Sequence, residues 1–257
     1  MINIKKLYRK LYKRYPYALA KKNHDFVGVM VSRKNENIKK IVLCLDLDEE
    51  VYSLSSSFAP DLIITHHPFL YGRSKVKVLR NDVHKANLNS LLKNQDIGVF
   101  SLHTNFDEAS NGMNDVLSSL LDLQDVYSPY FCPMMRVGYL KEELDIIDFV
   151  KYAKDKLNVK YALLTHYGKD KIKKVGILGG GGASYYKYAQ DEQCDIFISG
   201  DAAHHTRRDI TNDKFNYLEV PHEVERVFMN KMKDVLLEID PDLEILIIDH
   251  EQELKVF

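Results

Sequence analysis

The sequence is poor in cysteine and in long apolar runs. Its three cysteines, Cys44, Cys132 and Cys194, are widely spaced and form no C-x-x-C pair, so neither a disulfide framework nor a cysteine-ligated zinc site is expected. No apolar stretch approaches the ~20 residues that span a bilayer, and the amino terminus lacks the apolar core of a signal peptide. We therefore expect a cytoplasmic protein without disulfides, in which histidine and carboxylate side chains bind any metal ion.

An excess of charge of one sign is also lacking. The chain has 36 lysines and arginines against 37 aspartates and glutamates, so its net charge gives no argument for nucleic acid or membranes as partners. The basic residues near the amino terminus alternate with leucine and tyrosine, which indicates an amphipathic helix with a solvated face. A hydrophobic content of 45% over 257 residues is enough for one large or two modest domains.

Apolar runs alternate with helical periodicities along the chain, which predicts an α/β fold. Strands are predicted at 26–31, 40–46, 61–65, 97–102, 134–140, 160–165, 174–178, 195–199 and 243–248, and helices at 3–14, 49–57, 82–94, 112–121, 143–157, 183–191, 202–211 and 222–238. The two prolines of 128–133 indicate a boundary. We expect two α/β lobes with mixed sheets flanked by helices: 1–128 completed by 222–257, and 129–221.

The segment Leu62–Pro68, with the sequence L-I-I-T-H-H-P, is the most informative part of the chain. A short apolar run typical of a buried strand ends in His66 and His67, and imidazole is the commonest metal ligand among side chains. Successive strand residues point to opposite faces, but the turn forced by Pro68 lets both rings enter one cleft, each toward its own ion. Taken alone, the segment fits a histidine-rich loop without a ligand equally well.

A second pair of candidate ligands follows the strand predicted at 97–102. His103 and Asp107 can face the same cleft, since ligands in α/β sheets bind beyond the carboxyl ends of the strands. The two oxygens of Asp107 can bridge two cations. An isolated H-x-x-x-D pattern is a weak signal and is more often structural than functional.

A third cluster follows the strand predicted at 195–199. Asp201 is expected to cap the amino terminus of the helix at 202–211. His204 and His205 lie within that helix, where at most one of them can face a site.

The fourth cluster begins at Pro221, a favourable residue for starting a helix. His222 and Glu225 lie three residues apart and share a helix face, whereas Glu223 is turned away. A histidine and a carboxylate on one face commonly ligate a metal, and the same pairing also occurs by coincidence.

The glycine run Gly179–Gly182 has two interpretations. It can form a tight turn between a strand and a helix, or it can bind an anion through backbone N–H groups. It lacks the Lys-Ser/Thr pair of a P-loop and the spacing of a dinucleotide fingerprint. Both interpretations stay open.

In their order and approximate spacing, these motifs resemble the NIF3-like family, whose bacterial members are often labelled GTP cyclohydrolase 1 type 2 homologues. The resemblance extends over nearly the whole chain. It is carried by Leu62–Pro68, by 103–107 followed by 112–115, by Ser199–Asp201 followed by His204-His205, and by Asp25–Val29, which is similar to the family's amino-terminal Asp-Asn-x-Gly-Leu signature.

The resemblance implies a dinuclear metal centre in the cleft between the lobes. The implied ligands are His66, His67, Asp107, His222 and Glu225, and two divalent ions per subunit (Zn, Fe, Mn, Co or Ni) are implied. His103 is implied to be a catalytic residue at the rim, orienting a ligand or handling protons. Family members usually carry the glutamate four residues after the histidine, where this chain has Arg226, so Glu225 is assigned from its neighbouring position.

The function implied by the resemblance is that of a metal-dependent hydrolase acting on a nucleotide or another phosphoester. A toroidal homohexamer and a small-molecule substrate are implied as well. The alternative is a non-catalytic protein that stores, delivers or senses metal. A ring-shaped oligomer that binds nucleic acid is a third possibility, which the near-zero net charge disfavours.

Overall fold

The computed structural model describes residues 1–251, 254 and 255, and in it the chain forms two compact α/β units. The first unit is built from Met1–Ser110 and Phe228–Glu251, and the second from Asn111–Val227. The lobes expected from the sequence divide the chain at other residues and stay a prediction as folding domains.

The first unit begins with six strands and six helices. In chain order they are β1 (Ile2–Asn3), α1 (Ile4–Arg14), α2 (Tyr17–Lys22), β2 (Gly28–Val31), β3 (Asn37–Ile38), β4 (Lys40–Cys44), α3 (Glu49–Ser55), β5 (Leu62–Thr65), α4 (Lys75–Asn81), α5 (Val83–Asn94), β6 (Gly98–Ser101) and α6 (Thr104–Glu108).

The second unit follows, and the chain then returns to the first. The elements are α7 (Met113–Leu120), β7 (Gln124–Tyr127), β8 (Arg136–Asp145), α8 (Ile146–Lys156), β9 (Leu163–Thr165), β10 (Lys171–Ile177), α9 (Tyr186–Asp191), β11 (Ile196–Ser199), α10 (His204–Asn212), β12 (Tyr217–Glu219), α11 (Val227–Ile239) and β13 (Glu244–Ile247). Short 3-10 helices occupy Ser56–Phe58, Ala183–Tyr185 and His222–Arg226.

The main sheet of the first unit has five strands in the order β13-β4-β5-β6-β2. Its first four strands are parallel, β2 is antiparallel at the edge, and β1 pairs separately with β3. Every residue of β5 and β6 is buried, which explains their unbroken apolar character. Cys44 pairs with Thr65 and Thr65 with Ser101, so β4, β5 and β6 end at the same edge of the sheet.

The sheet of the second unit has six strands in the order β7-β8-β10-β11-β12-β9. Only β10, β11 and β12 are mutually parallel, and the other pairings are antiparallel. The pairs Ile177–Ile198 and Ser199–Glu219 bring the carboxyl ends of these three strands to one edge. Each unit therefore has three neighbouring parallel strands that end together.

The predicted fold class of mixed sheets with flanking helices is confirmed. The sequence did not predict β1, β3, β7 and β12. Three of these strands have only two or three residues, and β7 is exposed at every residue, so none of them gives an apolar run. The helix expected at 222–238 begins as a 3-10 helix and becomes α-helical only at Val227.

Two expectations from composition can be compared with the structure directly. Cys44, Cys132 and Cys194 are buried, and none of the three forms a disulfide bond. In the part of the chain that the structure describes, no helix has both the length and the apolar character needed to cross a membrane.

Candidate metal centre

Three histidines of the first unit come together where its parallel strands end. His66 and His67 directly follow β5, and His103 follows β6 by two residues. The ring centroid of His66 lies 5.0 Å from that of His67 and 5.2 Å from that of His103. The centroids of His67 and His103 are 5.5 Å apart. The shared edge expected from the α/β pattern therefore brings side chains from two separate motifs into one cluster.

The three imidazoles are close enough to share one ion. Each offers a ring nitrogen, and these nitrogens all lie within 4.8 Å of one another. His66 is fully buried, whereas the side chain of His103 keeps 24% of its surface exposed. His103, implied by the resemblance to sit at the rim, thus lies beside both histidines of the pair.

Each of these histidines is held by an oxygen acceptor at Nδ1. The partners are the Leu102 carbonyl at 2.9 Å for His66, Asp46 Oδ2 at 2.7 Å for His67 and Asp25 Oδ2 at 2.8 Å for His103. Such an acceptor places the ring proton on Nδ1 and leaves Nε2 as the metal-binding nitrogen, as is usual for histidine ligands. This arrangement allows each of the three rings to present Nε2 to a metal ion.

Asp25 is fixed as a charged acceptor. Burial opposes its ionisation, but hydrogen bonds from His103, Thr104 and the backbone N–H of Phe26 outweigh that effect and lower the pKa of Asp25 to about 2. The carboxylate thus orients His103 and the start of α6 at the same time.

Asp107 joins the histidines from the first turn of α6. Its side chain is buried, with 7% of the residue exposed, and its Oδ1 lies 3.5 Å from His66 Nε2. The rings of Phe106 and Phe228 lie 6.2 Å and 5.2 Å from that of His66, so one side of the cluster is apolar. A buried carboxylate beside an imidazole in this setting is a suitable donor pair for a divalent cation.

The second unit contributes a histidine and a carboxylate on the 3-10 helix His222–Arg226. His222 Nε2 lies 3.1 Å from Glu225 Oε2, and Glu225 is 3% exposed. A 3-10 helix has three residues per turn, so side chains at i and i+3 eclipse one another. This geometry brings a carboxylate three residues after the histidine onto the same side of the helix.

His222 has the same kind of Nδ1 partner as the histidines of the first unit. Its acceptor is Asp201 Oδ2 at 2.6 Å. The hydrogen bond with Glu225 raises the pKa of His222 to about 9 against the effect of burial, with a further contribution from Asp201. At neutral pH the imidazole therefore carries a proton that a metal ion would have to displace.

The expectation that Asp201 caps the following helix is wrong. Helix α10 begins at His204, and its N-cap is Ala203, which makes no side-chain capping bond. Asp201 adopts a left-handed backbone conformation with φ 54° and accepts from His222 instead. His204 and His205 are both exposed, and among the described residues neither belongs to a group that could hold an ion.

The glycine run after β10 lies against the His222–Glu225 pair. Gly180 has φ +64°, and a β-carbon there would overlap Glu225 Oε1 and lie 3.2 Å from His222 Nε2. Its carbonyl accepts from the backbone N–H of Gly200 at 2.8 Å and from Ser199 Oγ at 3.1 Å. Close approach of the backbone to the candidate ligands accounts for the glycine. Anion binding by this loop stays a prediction.

A cavity of about 340 Å³ lies in the first unit, separate from the histidine cluster. Its walls include the apolar side chains Leu47, Phe69 and Leu88 together with His84 and Glu49, whose Nδ1 and Oε1 atoms are 3.3 Å apart. None of the predicted metal ligands lines this cavity.

Sequence reasoning missed Asp46 as a partner of His67. Asp46 follows β4 by two residues, at the same sheet edge as His66 and His103. Asp46 directly follows an apolar run, so treating every polar residue in that position as a candidate, and not only the histidines, would have identified it as part of the site.

Comparison with known proteins gives consistent findings. A family model described as Duf34/NIF3 (NGG1p interacting factor 3) matches residues 2–253. A Clostridium perfringens protein named GTP cyclohydrolase 1 type 2 homolog is 30% identical over 235 residues, which cover 88% of this chain and 89% of that protein.

Two solved structures extend the comparison to the fold. The crystal structure of a Bacillus cereus protein related to NIF3 gives a TM-score of 0.84 at 20% identity, covering 100% of this chain and 98% of the other. Reduced HcgD from Methanocaldococcus jannaschii gives 0.80 at 26% identity, with 96% and 97% covered.

Proposed function

Because the chain belongs to the Duf34/NIF3 family, we propose that it is a dinuclear metal-dependent hydrolase acting on a nucleotide or another phosphoester. One observation carries the proposal: four histidines in two units each have an oxygen acceptor at Nδ1, which prepares Nε2 for a metal. All four of the histidines in the candidate ligand clusters share this orientation, which supports a common role in metal binding.

The donors present fit divalent transition metals. Imidazole nitrogens and carboxylate oxygens without a thiolate suit Zn, Fe, Mn, Co or Ni. We propose His66, His67 and Asp107 of the first unit and His222 and Glu225 of the second as ligands of two ions. That both sets serve the same centre rests on the family resemblance.

The bound ions would supply Lewis-acid chemistry, which polarises a phosphoryl oxygen and makes water nucleophilic near neutral pH. The surrounding residues position the ligands. Asp46 and Asp201 hold His67 and His222, and the apolar rings of Phe106 and Phe228 exclude water from one side of His66.

His103 is proposed to handle protons in this reaction. Asp25 accepts a hydrogen bond from Nδ1, so Nε2 can accept a proton from the attacking water, and the partly exposed ring can return it to solvent. His103 is also close enough to the ring nitrogens of His66 and His67 to bind a metal ion with them. The two roles are distinguishable, because only the loss of a metal ligand would lower the metal content of the protein.

The nucleotide substrate is supported by the names of the relatives, which are called GTP cyclohydrolase 1 type 2 homologs. The reaction class follows from the proposed donor set, because two divalent ions in one site commonly stabilise the attacking and leaving oxygens of a phosphoryl displacement.

The test is turnover by metal-reconstituted protein on a panel of nucleotides and phosphoesters. We expect metal-dependent hydrolysis of at least one compound, loss of that activity in Asp107→Ala, and full activity in His204→Ala, whose histidine is exposed outside the site. Tight metal binding without turnover of any compound would contradict the hydrolase and favour storage, delivery or sensing of metal.

A further inference from the structure

Tyr71 is an exposed aromatic residue held next to the histidine cluster. The two residues before it, Phe69 and Leu70, are buried with 3% and 2% of their surface exposed, so the loop after His67 is anchored in the core. Tyr71 itself is 56% exposed. The anchors therefore fix the position of a ring that remains open to solvent.

Two other rings determine how Tyr71 is oriented. Its centroid lies 6.3 Å from that of His103 at an interplanar angle of 88°, and 5.9 Å from that of Phe26 at 83°. Both contacts are perpendicular, as aromatic pairs favour. An oriented and exposed ring beside a candidate catalytic histidine is suited to stack on a planar group of a ligand.

The segment that follows Tyr71 is basic. Residues 68–81 contain Arg73, Lys75, Lys77 and Arg80 and no acidic residue. Within residues 1–251, 254 and 255, none of these four side chains forms an ion pair, and Lys75 donates to the carbonyl of Val29. Arg73 is exposed two residues after Tyr71, and a guanidinium matches the geometry of a phosphate group.

We propose that Tyr71 stacks on the base of a nucleotide and that Arg73 binds its phosphate, so that this loop determines which ligand reaches the histidine cluster. The inference rests on the proposed function for the reaction that follows binding. Stacking itself needs no metal ion, so it can be measured with metal-free protein.

The absence of tryptophan from the chain permits a direct test. Tyr71→Trp introduces the only tryptophan of the chain at the proposed stacking position, and its emission is separable from that of the tyrosines. Tyr167→Trp is the matched control, because Tyr167 is 57% exposed and lies in the second unit. In the presence of a chelator, we expect GMP to quench the Tyr71→Trp emission saturably and ribose 5-phosphate to leave it unchanged. The Tyr167→Trp emission should show no saturable change with either compound.

Calorimetry on the metal-free protein provides a second readout. Tyr71→Ala should weaken GMP binding by roughly 5- to 150-fold, the range that loss of one base–aromatic stack produces, whereas Tyr71→Phe should bind as the parent does. Arg73→Gln should weaken GMP binding and leave guanosine binding unchanged.

Several outcomes would overturn the inference: no saturable quenching in Tyr71→Trp, equal GMP affinity in Tyr71→Ala and the parent, or binding of a single-stranded oligonucleotide but not of GMP. Metal content is measured on the same preparations. Normal metal binding with no GMP binding refutes this inference alone, and GMP binding by a protein that takes up no metal refutes the proposed function alone.

Discussion

At the scale of single residues, the site depends as much on the partners of the histidines as on the histidines themselves. Three aspartates each accept a hydrogen bond from the Nδ1 atom of one histidine: Asp46 from His67, Asp25 from His103 and Asp201 from His222. These contacts determine the tautomer and the direction of Nε2, and therefore how well each ring can bind a metal.

Asp46→Asn is expected to lower metal affinity about 10- to 100-fold, because an amide is a weaker acceptor and can present its NH₂ group to His67. Competition with a chromogenic chelator measures the change. Asp209→Asn, an exposed substitution on α10, is the control and should bind as the parent does. Equal affinities in the two variants would show that Asp46 does not orient a ligand.

His103→Ala separates proton transfer from ligation. If His103 carries protons, the alanine variant should turn over substrate about 10²- to 10⁴-fold more slowly than the parent, with an unchanged metal content. Elemental analysis of the variant gives the metal content, and turnover is measured on the same sample. Loss of an ion along with activity would make His103 a ligand and end its proposed role as a proton carrier.

The sequence identified His66, His67, His103 and Asp107 because their motifs stand directly after apolar runs. Asp201 was misassigned, since nothing local distinguishes a carboxylate that caps a helix from one that accepts from a histidine 21 residues away. Asp201 follows β11 and His222 follows β12, and the parallel pairing of these two strands brings the residues together. That pairing is visible only in the folded chain.

At the scale of elements, the 3-10 helix His222–Arg226 and the glycine loop after β10 together position two of the five candidate ligands. Three residues per turn align His222 with Glu225, and the left-handed backbone of Gly180 leaves room for both side chains. The sequence predicted a helix here but not its type, because the first turn of a 3-10 and an α-helix share the same residue preferences.

Moving the carboxylate tests the helix type. Glu225→Ala should lose metal, and adding Arg226→Glu should not restore it, because a residue at i+4 of a 3-10 helix is turned about 120° from residue i. The measurement is metal content by elemental analysis of the single and double variants. Restoration by the double variant would mean that this segment binds metal as an α-helix.

Gly180→Ala is expected to destabilise the metal-free protein by at least about 1 kcal/mol, because alanine disfavours positive φ and its β-carbon would displace Glu225. Urea unfolding provides the free energy. Gly181→Ala is the control: that glycine is exposed, and the nearest atom to its β-carbon would be Asp201 Oδ2 at 3.2 Å. An equal loss in both variants would contradict the special role of Gly180.

At the scale of the whole molecule, two units of the same general construction each bring the ends of three parallel strands to one edge, and each carries candidate ligands there. The alternation of strands and helices predicted this arrangement. The strands β7 and β8 pair across the proline-rich segment 128–133, so the chain on both sides of it joins one sheet, and the lobe bounds expected from the sequence stay a prediction.

We propose, from the family resemblance, a ring of six chains in solution. Sedimentation equilibrium should then give a mass six times that of the 29.8 kDa chain, independent of bound metal. A monomer or dimer at micromolar concentration would contradict the ring and leave the metal site untouched.

The central claim is a two-metal centre ligated through Nε2. Anomalous diffraction from crystals reconstituted with zinc or manganese tests it most directly. The account predicts two anomalous peaks per chain, at about 2.0–2.2 Å from the Nε2 atoms of His66, His67 and His222 and from carboxylate oxygens of Asp107 and Glu225. A single peak, or peaks away from these residues in a fully occupied and well-folded protein, would contradict it.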